Sequence, residues 1–151
     1  MRVYEAITTY KVVAQVEFRK VDSPAKVVEY MKGAFDENPL QEAFYVLLLD
    51  RKNHAIGRQR ITLGTLTGTQ VHPREVFRAA IVGNAAAIVL IHNHPSGDPT
   101  PSEADIKVTR DLIRAGQLLK IEVVDHVIIG RATAERTKDF SSLRELGYFY
   151  A

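Results

Sequence analysis

The chain has no cysteine anywhere in its 151 residues. A disulfide framework and a thiolate nucleophile are both excluded, and His, Asp and Glu remain as the only strong metal ligands. No stretch approaches the ~20 apolar residues that cross a bilayer. The opening segment, MRVYEAITTYKVV, lacks an apolar core followed by a small-residue cleavage site. A soluble, cytoplasmic protein is the expectation. No sign of charge dominates either: 20 basic residues face 18 acidic ones, a net +2 that does not argue for a nucleic-acid partner by itself. One local segment departs from this balance. Arg51 to Arg60, RKNHAIGRQR, carries Arg51, Lys52, Arg58 and Arg60 and no acid. Its ordinary reading is the polar outer face of a hairpin; the alternative is a surface that meets phosphate or an acidic partner.

What is present reads as one globular domain over 1–151, with apolar and charged content in the usual range. Lys11 to Lys20 interleaves Val with polar residues and predicts a strand. Ser23-Pro24 predicts a helix N-cap and first turn, with the helix ending near Met31 or Ala34. Together these make 1–38 an N-terminal strand-helix extension packed on a domain over 39–151. AFYVLLL (Ala43 to Leu49) predicts a central strand buried on both faces, and Ala55 to Leu63 its hairpin partner. His72-Pro73 opens a second helix with Val76, Phe77, Ala80 and Ile81 inward and Gly83-Asn84 as its stop. AAIVLI (Ala86 to Ile91) is another apolar strand, and EVVDHVII (Glu122 to Ile129) a further one. Phe140 to Tyr150 is polar and then aromatic and fits no element clearly. This order predicts an α/β (α+β) domain, a mixed sheet covered by helices.

The most informative stretch is HNHPSGDPTPSEAD, His92 to Asp105. It follows a buried strand, and residues two apart on a strand point the same way, so His92 and His94 can aim at one point. Pro95 favours extended geometry at His94. Ser96-Gly97-Asp98-Pro99 reverses the chain. Thr100-Pro101-Ser102-Glu103 fits a capping box with Thr100 as N-cap, and the helix then runs to about Ala115, with Gly116 near its end. Positions 105, 108, 109, 112, 113 and 116 form one stripe that faces the core. Asp105 stands at its inward N-terminal end and needs a partner there; Ser102 lies one turn earlier on the same face. Two imidazoles and a carboxylate suit zinc and leave a fourth tetrahedral position for water. A general base is also required, and Glu42, just before AFYVLLL, is the best-placed acid outside the stretch. The tripeptide spelling HNH is not a nuclease signature, since the letters of that name refer to dispersed residues and Asn93 should point away from both imidazoles.

With these residues assembled, the chain resembles the RadC-like branch of the JAB/MPN metalloprotease superfamily, whose zinc signature is called JAMM. The resemblance rests on HNHPSGDPTPSEAD and on the flanking QEAFYVLLLD, GRQRITLGTLTGTQVHPREVFRAAI and DHVIIG. It implies a JAB/MPN-type mixed sheet flanked by helices, with cytidine-deaminase-like architecture. It also implies a zinc-dependent peptidase or isopeptidase-type amide hydrolase. By this resemblance His92, His94 and Asp105 are the zinc ligands, Ser102 stabilises the oxyanion, and Glu42 is the acid/base. Glu5, Glu17, Glu29 and Glu37 are worse placed for that task.

Two rival readings stand beside it. One is a DNA-repair or mobile-element accessory protein that uses the fold as a binding module, with Arg51, Lys52, Arg58 and Arg60 as its supporting feature. The other is a scaffold with a vestigial site, which the intact ligand types argue against. The substrate is a peptide or amide of unspecified identity, and exposed strand edges leave a homodimer open. His72 reads as a capping or packing residue, His54 as a hairpin-tip residue, and Asp125 and His126 as structural or ligand-supporting. Thr65, Thr67 and Thr69 are candidates for a substrate groove. Ala132 to Lys138 receives no role.

Overall fold

The computed structural model describes residues 1–64 and 71–150. Within these residues five strands form one mixed sheet in the order β2-β1-β3-β4-β5: β1 (Ala43–Leu49), β2 (Ala55–Leu63), β3 (Ala87–Asn93), β4 (Glu122–Ile129) and β5 (Phe140–Ser142). Only β3 and β4 run parallel; the other neighbours are antiparallel. Among the described residues three helices, α1 (Pro24–Tyr30), α2 (Pro73–Val82) and α3 (Glu103–Leu119), complete an α+β fold.

The unbroken apolar runs of β1 and β3 follow from helices on both sides. Phe44, Val46 and Leu48 of β1 and Ile88 and Leu90 of β3 pack with Val76, Phe77 and Ala80 of α2 and with Val108 and Leu112 of α3. The alternate residues Leu47, Leu49, Val89 and Ile91 pack with Val27 and Met31 on the α1 side. A parallel neighbour cannot be reached through a tight turn, so α3 carries the chain from β3 across to β4. That crossover places the end of β3 opposite the start of α3. Among the described residues no helix is long and apolar enough to cross a membrane.

Four local expectations are corrected. Lys11 to Lys20 forms no strand: only Lys20 pairs, as an isolated bridge to His54. Val12 and Val13 of that segment are exposed, so its apolar pattern has no sheet face to bury against. The N-cap of α3 is Ser102 rather than Thr100. The Thr100 hydroxyl instead donates to Asp98 Oδ1 at 2.7 Å, closing the turn before the helix. Gly116 lies inside α3, which continues to Leu119 and ends on Lys120 in the left-handed conformation. A Cβ at Gly116 would meet the Ile121 carbonyl, so the glycine permits a close approach and does not stop the helix. On α2, Ile81 is exposed, and Ala79 is buried in its place alongside Val76, Phe77 and Ala80.

The basic segment is a hairpin, as its ordinary reading holds, but its cations differ in circumstance. Arg51 and Lys52 are exposed at the turn and Arg60 is exposed on β2. Arg58 donates to the Tyr30 carbonyl at 2.7 Å, tying β2 to the end of α1. Thr65, Thr67 and Thr69 lie outside the described residues.

Candidate metal centre

Alternation along β3 sorts the HNH tripeptide. His92 continues the Ile88–Leu90 face towards α3, and Asn93 continues the opposite face. His92 is fully buried and stacks on Phe44, its register partner on β1, with ring centroids 6.1 Å apart. The backbone of His94 is held by a bond from its amide to the Ile129 carbonyl at 2.9 Å, which fastens the loop to the end of β4. Gly130 lies directly against this loop. A Cβ there would collide with the Gly97 carbonyl oxygen, so only glycine lets the two backbones meet.

Asp105 arrives from the other side, as the inward stripe predicts. It is 3% exposed and belongs to the capping box of α3. Its Oδ2 accepts from the Ser102 amide at 2.8 Å, and the Ser102 hydroxyl accepts from the Asp105 amide at 3.1 Å. One carboxylate thus caps the helix and faces both imidazoles.

The three side chains converge. His92 Nε2 and His94 Nε2 are 3.0 Å apart, Asp105 Oδ2 is 3.1 Å from His94 Nε2, and Asp105 Oδ1 is 3.2 Å from His92 Nε2. A tetrahedral zinc ion with bonds of about 2.05 Å separates its ligand atoms by about 3.3 Å, so this triangle has the size of one face of such a site. His92, His94 and Asp105 therefore meet the requirement for a bound metal ion in donor type as well as spacing. The His94 Nδ1–H donates to the Asp98 carbonyl at 2.7 Å, because a carbonyl can only accept; Nε2 is thereby the nitrogen turned to the centre.

Charge follows the same arrangement. Burial opposes ionisation of Asp105, but hydrogen bonds from His92 and His94, the charge of His92 and the Ser102 amide prevail, and the carboxyl is held well below its ordinary range. Burial of His94 favours its neutral form; bonds to Asp105 and the Asp98 carbonyl, with the charges of Asp105 and Glu42, outweigh this and raise its pKa. Glu42 itself is half-buried immediately before β1. Its influence on His94 places its carboxylate within electrostatic reach of the centre.

Three contributing residues escaped the reading of the sequence or were undervalued there. Asn93 points away from the imidazoles as expected, yet it is not idle. Its Oδ1 accepts from the Ala43 amide at 2.7 Å and its Nδ2 donates to the Gln41 carbonyl at 3.0 Å. These are the neighbours of Glu42 on either side, so Asn93 braces the backbone that presents that acid. The Glu42 carbonyl in turn accepts from Gly64 at 2.8 Å. His126, on β4, is fully buried and lies 2.8 Å from His92 Nδ1. Burial holds its pKa well below the ordinary imidazole range. Thr109, part of the inward stripe of α3, meets the other nitrogen of His126 at 2.5 Å.

Other candidates have structural places. Asp125 accepts from the Ser142 hydroxyl at 2.7 Å and from the amides of His126 and Arg144, joining β4 to the tail; burial, only partly offset by these bonds, raises its pKa. His72 occupies the N-cap position of α2 without a side-chain capping bond. Beside His94 a cleft of about 350 Å³ opens between α1 and the end of β4, lined by Val28, Met31, Phe35, Pro95 and Arg131 among others.

A family model described as RadC-like JAB domain matches residues 21–148, a span that contains Glu42, His92, His94, Ser102 and Asp105. A UPF0758 protein of Chlorobaculum tepidum is 50% identical over 111 residues, covering 74% of this chain and 50% of that protein. One of Geotalea uraniireducens is 52% identical over 108 residues, covering 72% and 47%. One of Methanosarcina barkeri is 43% identical over 126 residues, covering 83% and 55%. The chain spans about half the length of the curated relatives it matches.

Proposed function

Because the chain belongs to the RadC-like JAB domain family, we propose that His92, His94 and Asp105 hold a zinc ion and that the domain hydrolyses a peptide or isopeptide-type amide bond. The observation that carries this reading is the triangle of donor atoms with 3.0–3.2 Å edges, built from two imidazoles and one ionised carboxylate. Zinc at this position supplies a Lewis acid that polarises a carbonyl and acidifies water.

The remaining work belongs to side chains. Glu42 takes a proton from the attacking water and returns it to the leaving amine, a task that needs a carboxylate near the centre but outside the ligand set. The Asn93 brace on its flanking backbone and its effect on His94 support that role. The Ser102 hydroxyl accepts from the Asp105 amide, so its own proton remains to be donated. It donates that proton in a hydrogen bond to the oxyanion that forms when the carbonyl is attacked. The cleft beside His94, with its largely apolar walls, takes a substrate side chain next to the scissile bond. A nucleic-acid contact through the hairpin would have to use Arg51, Lys52 and Arg60, since Arg58 is engaged with Tyr30.

Metal analysis of the purified chain tests the proposal. Wild type refolded with zinc should hold one equivalent, and His94→Ala and Asp105→Ala should each hold less than about a tenth of that, since two ligands make a poor site. Wild-type protein with no stoichiometric metal would falsify it.

A further inference from the structure

A zinc-binding imidazole must present a lone pair, so the nitrogen that faces the metal cannot carry the proton. For His94 the Asp98 carbonyl settles this. His92 has no carbonyl on its Nδ1; it has another imidazole, which could in principle give or take a proton. The answer lies two residues further from the centre.

Thr109 Oγ1 is 2.6 Å from the Asp105 carbonyl, one turn back on α3. A carbonyl only accepts, so the single hydroxyl proton of Thr109 is committed to it. The same oxygen lies 2.5 Å from His126 Nδ1 and has only lone pairs left to offer. His126 Nδ1 must therefore carry a proton and donate it. His126 is fully buried, and its two ring bonds go to a hydroxyl and an imidazole, neither an anion, so it is neutral. Its Nε2 is then bare and accepts from His92 Nδ1 at 2.8 Å. With Nδ1 protonated on the side of His126, Nε2, the atom that faces His94 and Asp105, is the nitrogen His92 has to offer a metal ion; without metal it hydrogen-bonds to Asp105.

The opposite assignment fails at a definite place. If Nε2 held the only proton of His92, its bare Nδ1 would need a proton from His126 Nε2. Neutral His126 would then turn a bare Nδ1 against the Thr109 oxygen, and two lone pairs would meet inside the core with no proton between them.

We propose that Thr109 and His126 form a proton-ordering relay which fixes the tautomer of His92 and so presets its Nε2 as a metal ligand. The inference rests on the metal-centre reading for its purpose, although the relay itself exists without metal. Thr109 is a positioning residue: its hydroxyl also grips the carbonyl of Asp105, so one side chain couples the strand-borne ligand to the helix-borne one.

Two measurements on the full chain test it. Long-range proton–nitrogen NMR of the metal-free protein at pH 8 reads which ring nitrogen is protonated. Wild type should show a proton on Nδ1 of both His92 and His126. Thr109→Val keeps shape and removes the hydroxyl; His92 should then show a population with a bare Nδ1. Zinc affinity, from competition with a chelating dye, should fall in Thr109→Val by about 10- to 100-fold, the usual effect of losing a group that orients a ligand. Thr109→Ser should restore both signals. A bare Nδ1 on His92 in wild type overturns the relay, as does a Thr109→Val protein with wild-type protonation at both Nδ1 atoms or with zinc affinity within about threefold of wild type. If wild type binds no zinc, the functional reading falls while the NMR result still decides the relay.

Discussion

Asp105→Asn separates two tasks performed by one carboxylate. The asparagine carbonyl can still accept from the Ser102 amide, so the cap of α3 survives, but the anionic ligand between His92 and His94 is gone. In metal-free protein near neutral pH the charged bonds to the two histidines are lost, which should cost about 1–2 kcal/mol. The pH dependence has a definite sign. A carboxyl depressed in the folded state stabilises above its unfolded value of 3.8, and that contribution is lost as pH falls below it; the deficit of Asp105→Asn should therefore shrink in acid. With zinc the contrast is larger. Free zinc at a hundredfold its dissociation constant stabilises a folded site by about 2.7 kcal/mol. For a chain of 151 residues each kcal/mol moves Tm by about 2–4 °C, so wild type should gain about 5–11 °C. Asp105→Asn should gain under about 2 °C on the same scale. The assay is thermal denaturation by circular dichroism, with and without zinc. An unchanged zinc shift in Asp105→Asn, at one equivalent, would refute the assignment of this carboxylate as a ligand.

Three further outcomes are expected. Glu42→Gln should keep its zinc and lose at least about 100-fold in turnover of a peptide library followed by mass spectrometry; loss of zinc instead would make Glu42 a ligand. Gly130→Ala should destabilise the chain by about 1–3 kcal/mol in urea, because the new Cβ meets the Gly97 backbone rather than a side chain that could swing away; a change under about 0.5 kcal/mol would count against the close approach. Asn93→Ala leaves the Ala43 amide without its side-chain acceptor and should cost about 1–3 kcal/mol, read by the same titration; a neutral outcome would remove the brace.

The sequence displays best what repeats with a period. The two-sided burial of β1 and β3 is written in unbroken apolar runs, and the inward placement of Asp105 in the stripe of α3. The three candidate ligands were legible because they fall close together, at a strand end and a helix start. Thr100 and Ser102 were harder to rank as caps. Both precede an acid at suitable spacing, and the choice turns on Thr100 bonding back to Asp98, a contact between side chains that no spacing rule encodes. Lys11 to Lys20 has the alternation of a strand, but pattern alone does not supply an edge to pair with. Thr109 and His126 were placed in the core correctly, while their bond to one another depends on α3 lying across β4, which only the assembled fold provides.

The brace from Asn93 to the residues around Glu42 has a consequence for anyone wishing to move this centre elsewhere. Ligands and brace alternate along a single strand, so a one-residue slip of β3 would turn the imidazoles out and the amide in, disabling both at once. A graft of the segment from His92 to Asp105 would carry the three metal donors but leave the acid behind, along with the strand partner that Asn93 grips. The smallest portable unit is therefore not a loop. It is a pair of adjacent strands and the first turn of a helix, transplanted in register.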